Sequence, residues 1–183
     1  MPEPFSTAAG LIYGSQRMQC DRDQRKAVIM PLSEGALAPD FTLPTDGGGS
    51  LTLSSLRGRK VVLYAYPQDD TPSCTNEALS FDALLPRFEA AGAVVIGLSP
   101  DSVKRHDRFK QKHNLTLTLV ADGERSAIEA YGLWVQKQMY GRSYMGVERT
   151  TVLIDPHGRI LRIWRKVRVK GHAEEVLAAC AAA

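Results

Sequence analysis

The chain has 183 residues, 44% hydrophobic and 23% charged, with 15 glycines and 10 prolines spread along it. This composition excludes collagen-like, coiled-coil and wholly disordered classes and fits one globular domain able to bury a core. A net charge of +3 in a mixed-sign sequence gives no argument for a nucleic-acid or membrane partner.

No apolar run reaches the length of a membrane span, no N-terminal apolar segment suggests a secretory signal, and Asp21 and Asp23 fit poorly with an acidic-poor organelle transit peptide. The three cysteines, Cys20, Cys74 and Cys180, have none of the CxxC or CxxH spacings that zinc or dithiol sites need. No disulfide framework, metal or cofactor is expected. A cytoplasmic location is expected, and in that reducing compartment a singled-out thiol is more often chemical than structural.

Residues 1–30 carry no sustained periodicity and a clump of mixed charges from Arg17 to Lys26, and are expected to form a weakly ordered extension to a domain spanning residues 31–183. Phe41-Thr42-Leu43 and Leu51-Thr52-Leu53 alternate apolar and polar residues around Asp46-Gly47-Gly48-Gly49, which predicts a β-hairpin. Val61 to Tyr66 is a nearly continuous apolar run ended by Pro67, the pattern of a central strand covered on both faces. Ala78, Phe81, Leu84, Leu85 and Phe88 then recur at three- and four-residue steps, predicting a helix from about Ser73 to Gly92.

Ala93 to Leu98 predicts a second buried strand. Ser99-Pro100-Asp101 reads as the cap and first turn of a helix running to about His113. Leu115–Val120 predicts a third strand and Ser126–Tyr131 a short helix. Thr150–Ile154 and Ile160–Trp164 predict a hairpin turning on Asp155-Pro156-His157-Gly158, and His172–Ala179 a closing helix. This order implies an α/β fold of thioredoxin-like topology, with a mixed central sheet, helices on both faces and an N-terminal β-hairpin.

The segment from Tyr66 to Thr75 places Cys74 in the first turn of a helix, directly after a central strand. Unpaired backbone N–H groups and the positive end of the helix dipole favour a thiolate at such a position. Reactive sites also gather at the carboxyl ends of strands in open α/β sheets. A small apolar filler between helix and sheet is the competing reading of Cys74.

The neighbouring residues separate the two readings. Pro67-x-x-x-Thr71-x-x-Cys74 resembles the peroxiredoxin active-site signature. Ala38-Pro39-Asp40-Phe41, Ser99-Pro100-Asp101-Ser102 and Gly146-Val147-Glu148-Arg149-Thr150-Thr151 resemble the peroxiredoxin Q subfamily, also called bacterioferritin comigratory protein. The likeness spans roughly Ala36 to Ala179.

It implies a thiol peroxidase in which Cys74 attacks the terminal oxygen of a hydroperoxide, yielding a sulfenic acid and water or an alcohol. In the resemblance the Arg149 guanidinium reaches the Cys74 sulfur, and the Thr71 hydroxyl lies between thiolate and peroxide. The same resemblance implies that the Pro67 ring shields the sulfur. Without the motif, Thr71 is a helix cap or turn residue, Arg149 a solvated cation and Pro67 a strand terminator.

One departure from the subfamily concerns the second cysteine that many members carry five residues after the first, where this chain has Leu79. Resolution by thioredoxin or a similar external thiol is then simplest, with Cys20 the better internal candidate and Cys180 expected as a small filler of the terminal helix. The expected partners are a hydroperoxide and that thiol reductant, with a monomer or weak homodimer and no nucleic acid or membrane. A non-catalytic redox sensor or chaperone-like binding module on the same fold is the alternative function.

His106, His113, His157 and His172 lack metal-binding spacing and are expected as surface or turn residues. The basic run Arg159, Arg162, Arg165, Lys166, Arg168 and Lys170 reads as a charged edge strand and its following loop.

Overall fold

The computed structural model describes residues 32–139 and 141–183; the expected N-terminal extension, with Cys20, lies outside them. The hairpin forms from β1 (Thr42–Pro44) and β2 (Ser50–Thr52), paired antiparallel. Next come β3 (Lys60–Ala65), α1 (Pro72–Ala90), β4 (Ala93–Ser99), α2 (Val103–His113), β5 (Thr118–Ala121) and α3 (Ser126–Ala130). A second hairpin, β6 (Trp134–Met139) with β7 (Arg142–Val147), precedes β8 (Thr150–Ile154), β9 (Ile160–Arg165) and α4 (His172–Ala182).

Five strands build one sheet in the order β5-β4-β3-β8-β9. Strand β3 lies at its centre, parallel to β4 and antiparallel to β8, and the basic strand β9 is at the edge as expected. The alternation within β3 divides the core. Val62 and Tyr64, continued by Tyr66, face the layer holding Phe81 and Phe88 of α1 and Val176 and Leu177 of α4. Val61, Leu63 and Ala65 face the opposite layer, with Phe41, Leu53, Ile128 and Tyr131.

Phe81 stacks on Tyr64 at 4.7 Å, and this close layer is why position 97 is glycine. A Cβ there would lie 2.7 Å from both the Tyr64 hydroxyl and a Leu119 methyl. Among the described residues, no helix is long and apolar enough to cross a membrane, and no cluster of side chains suits a metal ion.

Several local expectations change. Helix α2 begins at Val103 with Ser102 in the cap position, three residues later than the Ser99 cap read from sequence. Ser99 instead ends β4, and its hydroxyl exchanges hydrogen bonds with Asp101, accepting from the backbone N–H and donating to the carboxylate. Strand β5 begins at Thr118 rather than Leu115, because the N–H groups of Thr116 and Leu117 are taken by the Asp82 carboxylate. The β6–β7 hairpin adds to the elements expected from sequence: Trp134 and Val147 pair at its base against the core, while Tyr144 and Met145 are exposed, so its apolar residues do not share one buried face. His106 and His172, expected at the surface, are buried: His106 bonds Asp69 at 2.7 Å and His172 bonds the Thr151 hydroxyl at 2.8 Å. Each ring enters the core because a polar partner there satisfies one nitrogen.

Candidate active site

Strand β3 gives its last ladder bond through Tyr66, whose N–H donates to the Leu98 carbonyl at 3.0 Å. Pro67 then ends the strand, and Gln68 to Thr71 turn the chain into α1. Asp70 takes a positive φ of 60°, a conformation that Asp tolerates better than most residues. Thr71 occupies the cap position and Pro72 the first helical position, where a missing N–H costs nothing. Cys74 is the third residue of the helix, in the turn whose N–H groups have no intrahelical acceptor, and is only 1% exposed.

Arg149 arrives from the other side of the sheet centre. The register of β8 on β3 sets Thr150 opposite Ala65, so the residue before Thr150 lies beside the point where the chain leaves β3. From there Nη2 of Arg149 donates to Cys74 Sγ at 3.2 Å, and Nη1 donates to Glu77 Oε2. Two residues 75 apart in sequence thus meet at one sulfur.

Glu77 was not among the residues singled out from sequence. It lies three residues after Cys74, on the same helix face, and that spacing was its available signal. Burial pushes its carboxyl up to about 7, although Arg149 pulls the other way, and its second oxygen has no hydrogen-bond partner among the described residues. Burial works against the Arg149 charge, but Glu77 and Cys74 outweigh it and hold the guanidinium above its ordinary value. Lys137 of β6 donates to the Val147 carbonyl at 2.5 Å; burial first, then Arg149, lowers its ammonium.

Of the four residues singled out, Cys74 and Arg149 are in direct contact. The Thr71 hydroxyl donates to the Gln68 carbonyl at 3.2 Å and makes no capping bond, so its oxygen lone pairs stay available as acceptors. Pro67 is partly buried at the strand end on the same loop. Leu79, five residues past Cys74, is 41% exposed. Cys180 is fully buried in α4, its thiol pushed up to about 11 by burial against a small opposing effect of Lys60.

The AhpC/TSA family model matches residues 35–163. The chain is 51% identical over 148 residues to a relative from Coxiella burnetii that carries the bcp name, covering 81% of this chain and 98% of that one. It is 46% identical to the peroxiredoxin Bcp of Bacillus subtilis, over 81% of this chain and 94% of the relative. Among solved structures it is similar to Xanthomonas campestris peroxiredoxin Q, with a TM-score of 0.77 and 45% identity over 82% of this chain and 96% of that one. The match of motif, fold and contact geometry has one reading: the chain belongs to the AhpC/TSA family, among the Bcp or Q peroxiredoxins.

Proposed function

We propose that this peroxiredoxin reduces hydroperoxides through Cys74, and that the contact between the Arg149 guanidinium and the Cys74 sulfur carries the reading. In the first step the Cys74 thiolate attacks the terminal peroxide oxygen. The S–O bond forms as the O–O bond breaks, the sulfur is oxidised to sulfenic acid, and the departing alkoxide or hydroxide takes a proton to leave as alcohol or water. Negative charge moves from sulfur onto the two oxygens. A fixed guanidinium in a site screened from water stabilises it through both stages.

Thr71 accepts the hydrogen bond of the peroxide O–H through its free lone pairs, aligning the terminal oxygen with the sulfur. Pro67 excludes water from one side. Glu77 holds the guanidinium from the opposite edge, leaving Nη2 to face the sulfur.

In the second step an external thiol attacks the sulfenic sulfur, releasing water and forming a mixed disulfide, and a further thiol restores Cys74. Thioredoxin or a similar dithiol is the proposed reductant, because Leu79 replaces the near cysteine and Cys180 is a buried, protonated thiol. A monomer or weak homodimer acting in the cytoplasm, with residues 31–183 as the working domain and 1–30 as an extension, completes the proposal. The similar Xanthomonas campestris bacterioferritin comigratory protein has alkyl peroxide reduction activity, which supports organic hydroperoxides as substrates here.

The test is catalytic consumption of hydrogen peroxide and of an alkyl hydroperoxide with a regenerating thiol. Sustained turnover is expected. A single stoichiometric oxidation with no turnover under any thiol would return the protein to the redox-sensor alternative.

A further inference from the structure

We propose that His106, acting through Asp69, is a positioning residue that holds the Pro67–Thr71 loop closed beside Cys74. The closed loop favours attack on peroxide and restricts access of the reducing thiol.

The loop is tied to one neighbour. Asp69, five residues before Cys74, is fully buried and has every polar group engaged. Its carboxyl accepts from the Tyr66 hydroxyl at 2.6 Å and bonds His106 Nδ1 at 2.7 Å. Its N–H donates to Asp101 at 2.7 Å and its carbonyl accepts from Arg105 at 3.2 Å. Next to it, Asp70 meets Lys112 at 2.7 Å and His113 at 2.8 Å. Apart from Tyr66, every one of these partners lies on α2 or on the turn that enters it.

The His106 ring is committed to this contact. It is fully buried, and its Nε2 has no partner among the described residues, so its polar link to the rest of the molecule runs through Asp69 alone. The Ser99-Pro100-Asp101-Ser102 motif joins the same network, with Asp101 accepting from both Ser99 and Asp69 and pairing with Arg105 at 3.2 Å.

The two half-reactions make opposite demands on this loop. Attack on a small peroxide needs Thr71 held in register with the sulfur. Reduction by an external thiol needs the sulfur uncovered, because Cys74 is 1% exposed. Loosening the Asp69–His106 tie therefore slows the first and speeds the second, whereas damage to the fold in general slows both.

The inference rests on Cys74 being the peroxidatic residue, and the experiment separates the two. Single-turnover oxidation by hydrogen peroxide, reduction of the oxidised protein by dithiothreitol, and alkylation of the reduced Cys74 peptide by iodoacetamide are followed in the wild type, His106→Leu and His106→Asn. His106→Leu is expected to slow oxidation about tenfold or more while speeding reduction and alkylation severalfold. His106→Asn, whose amide N–H takes the place of Nδ1, restores all three towards the wild type. Equal slowing of both half-reactions, or no change in any rate, overturns the proposal. If His106→Leu does not fold, Asp70→Asn combined with Lys112→Ala loosens the exposed end of the same tie and must shift the rates in the same opposite senses, or the proposal fails. If peroxide leaves wild-type Cys74 unoxidised, the peroxidase reading fails instead, and the alkylation rates still decide the role of His106.

Discussion

Cys74 and Cys180 belong to the same buried cluster, beneath the same face of the sheet, and both are nearly inaccessible to solvent. Their surroundings differ in two respects. Cys74 occupies the first turn of a helix and accepts from a guanidinium at 3.2 Å, whereas Cys180 lies near the end of α4, with burial pushing its thiol up to about 11. Lys60 comes close to Cys180 but spends its ammonium on the carbonyls of Cys180 and Ala183, at 2.7 and 2.6 Å. Burial is thus common to the two sulfurs and does not by itself account for the reactivity proposed for Cys74. What sets apart Cys74, the proposed nucleophile, is a cation aimed at the sulfur in the turn with free N–H groups.

The largest expected difference comes from removing each sulfur in turn. Cys74→Ser should lower peroxide turnover at least about a thousandfold with the fold intact by circular dichroism, because a serine hydroxyl is too basic to serve as the nucleophile. Cys180→Ser should keep turnover within about twofold, since its thiol touches none of the reacting groups. Comparable losses in both variants would erase the distinction between the two sites.

Taking away the cation tests what sets them apart. Arg149→Met should slow sulfenic acid formation about a hundred- to a thousandfold in stopped flow, the scale found when a transition-state donor is deleted. Lys in its place should recover part of that loss, having the charge but not the two-armed geometry that spans Cys74 and Glu77. A rate unaffected by the Met substitution would assign the reactivity of Cys74 to the helix terminus alone.

The fate of the oxidised sulfur sharpens the same contrast. After one equivalent of peroxide without thiol, dimedone should label the Cys74 peptide and spare the Cys180 peptide. Non-reducing peptide maps should be dominated by the labelled sulfenate rather than by a disulfide to Cys180 or Cys20. An abundant Cys74–Cys180 link would mean that α4 opens to resolve the intermediate.

The smallest effect is on stability. Glu77 is raised from 4.5 to about 7 in the fold, so the stability it confers is fully present below pH 4.5 and is lost as pH rises through 7. Glu77→Gln should flatten that decline in urea midpoints measured across the window. His172, lowered by burial, acts in the opposite sense and is common to both proteins, so the difference between the profiles isolates Glu77. A difference that does not vary with pH would show that the buried carboxyl keeps its ordinary titration.

Much of this architecture is legible along the chain because it depends on neighbours in sequence. The apolar run from Val61 to Tyr66, the stripe from Ala78 to Phe88 and the place of Cys74 in the first turn of a helix are local patterns, and each became the element it suggested. The family motifs added Arg149, a residue that no periodicity could have singled out. Tertiary structure decided the rest. The register of β8 on β3 brings Arg149 to the sulfur, and packing of α1 against the sheet buries Glu77 beside it. Helix α2 meets the loop before α1, where His106 bonds Asp69. Such contacts join residues between 37 and 75 positions apart. Local propensity carries no trace of them, because a histidine or glutamate in the core looks in sequence like any surface one until its partner is known.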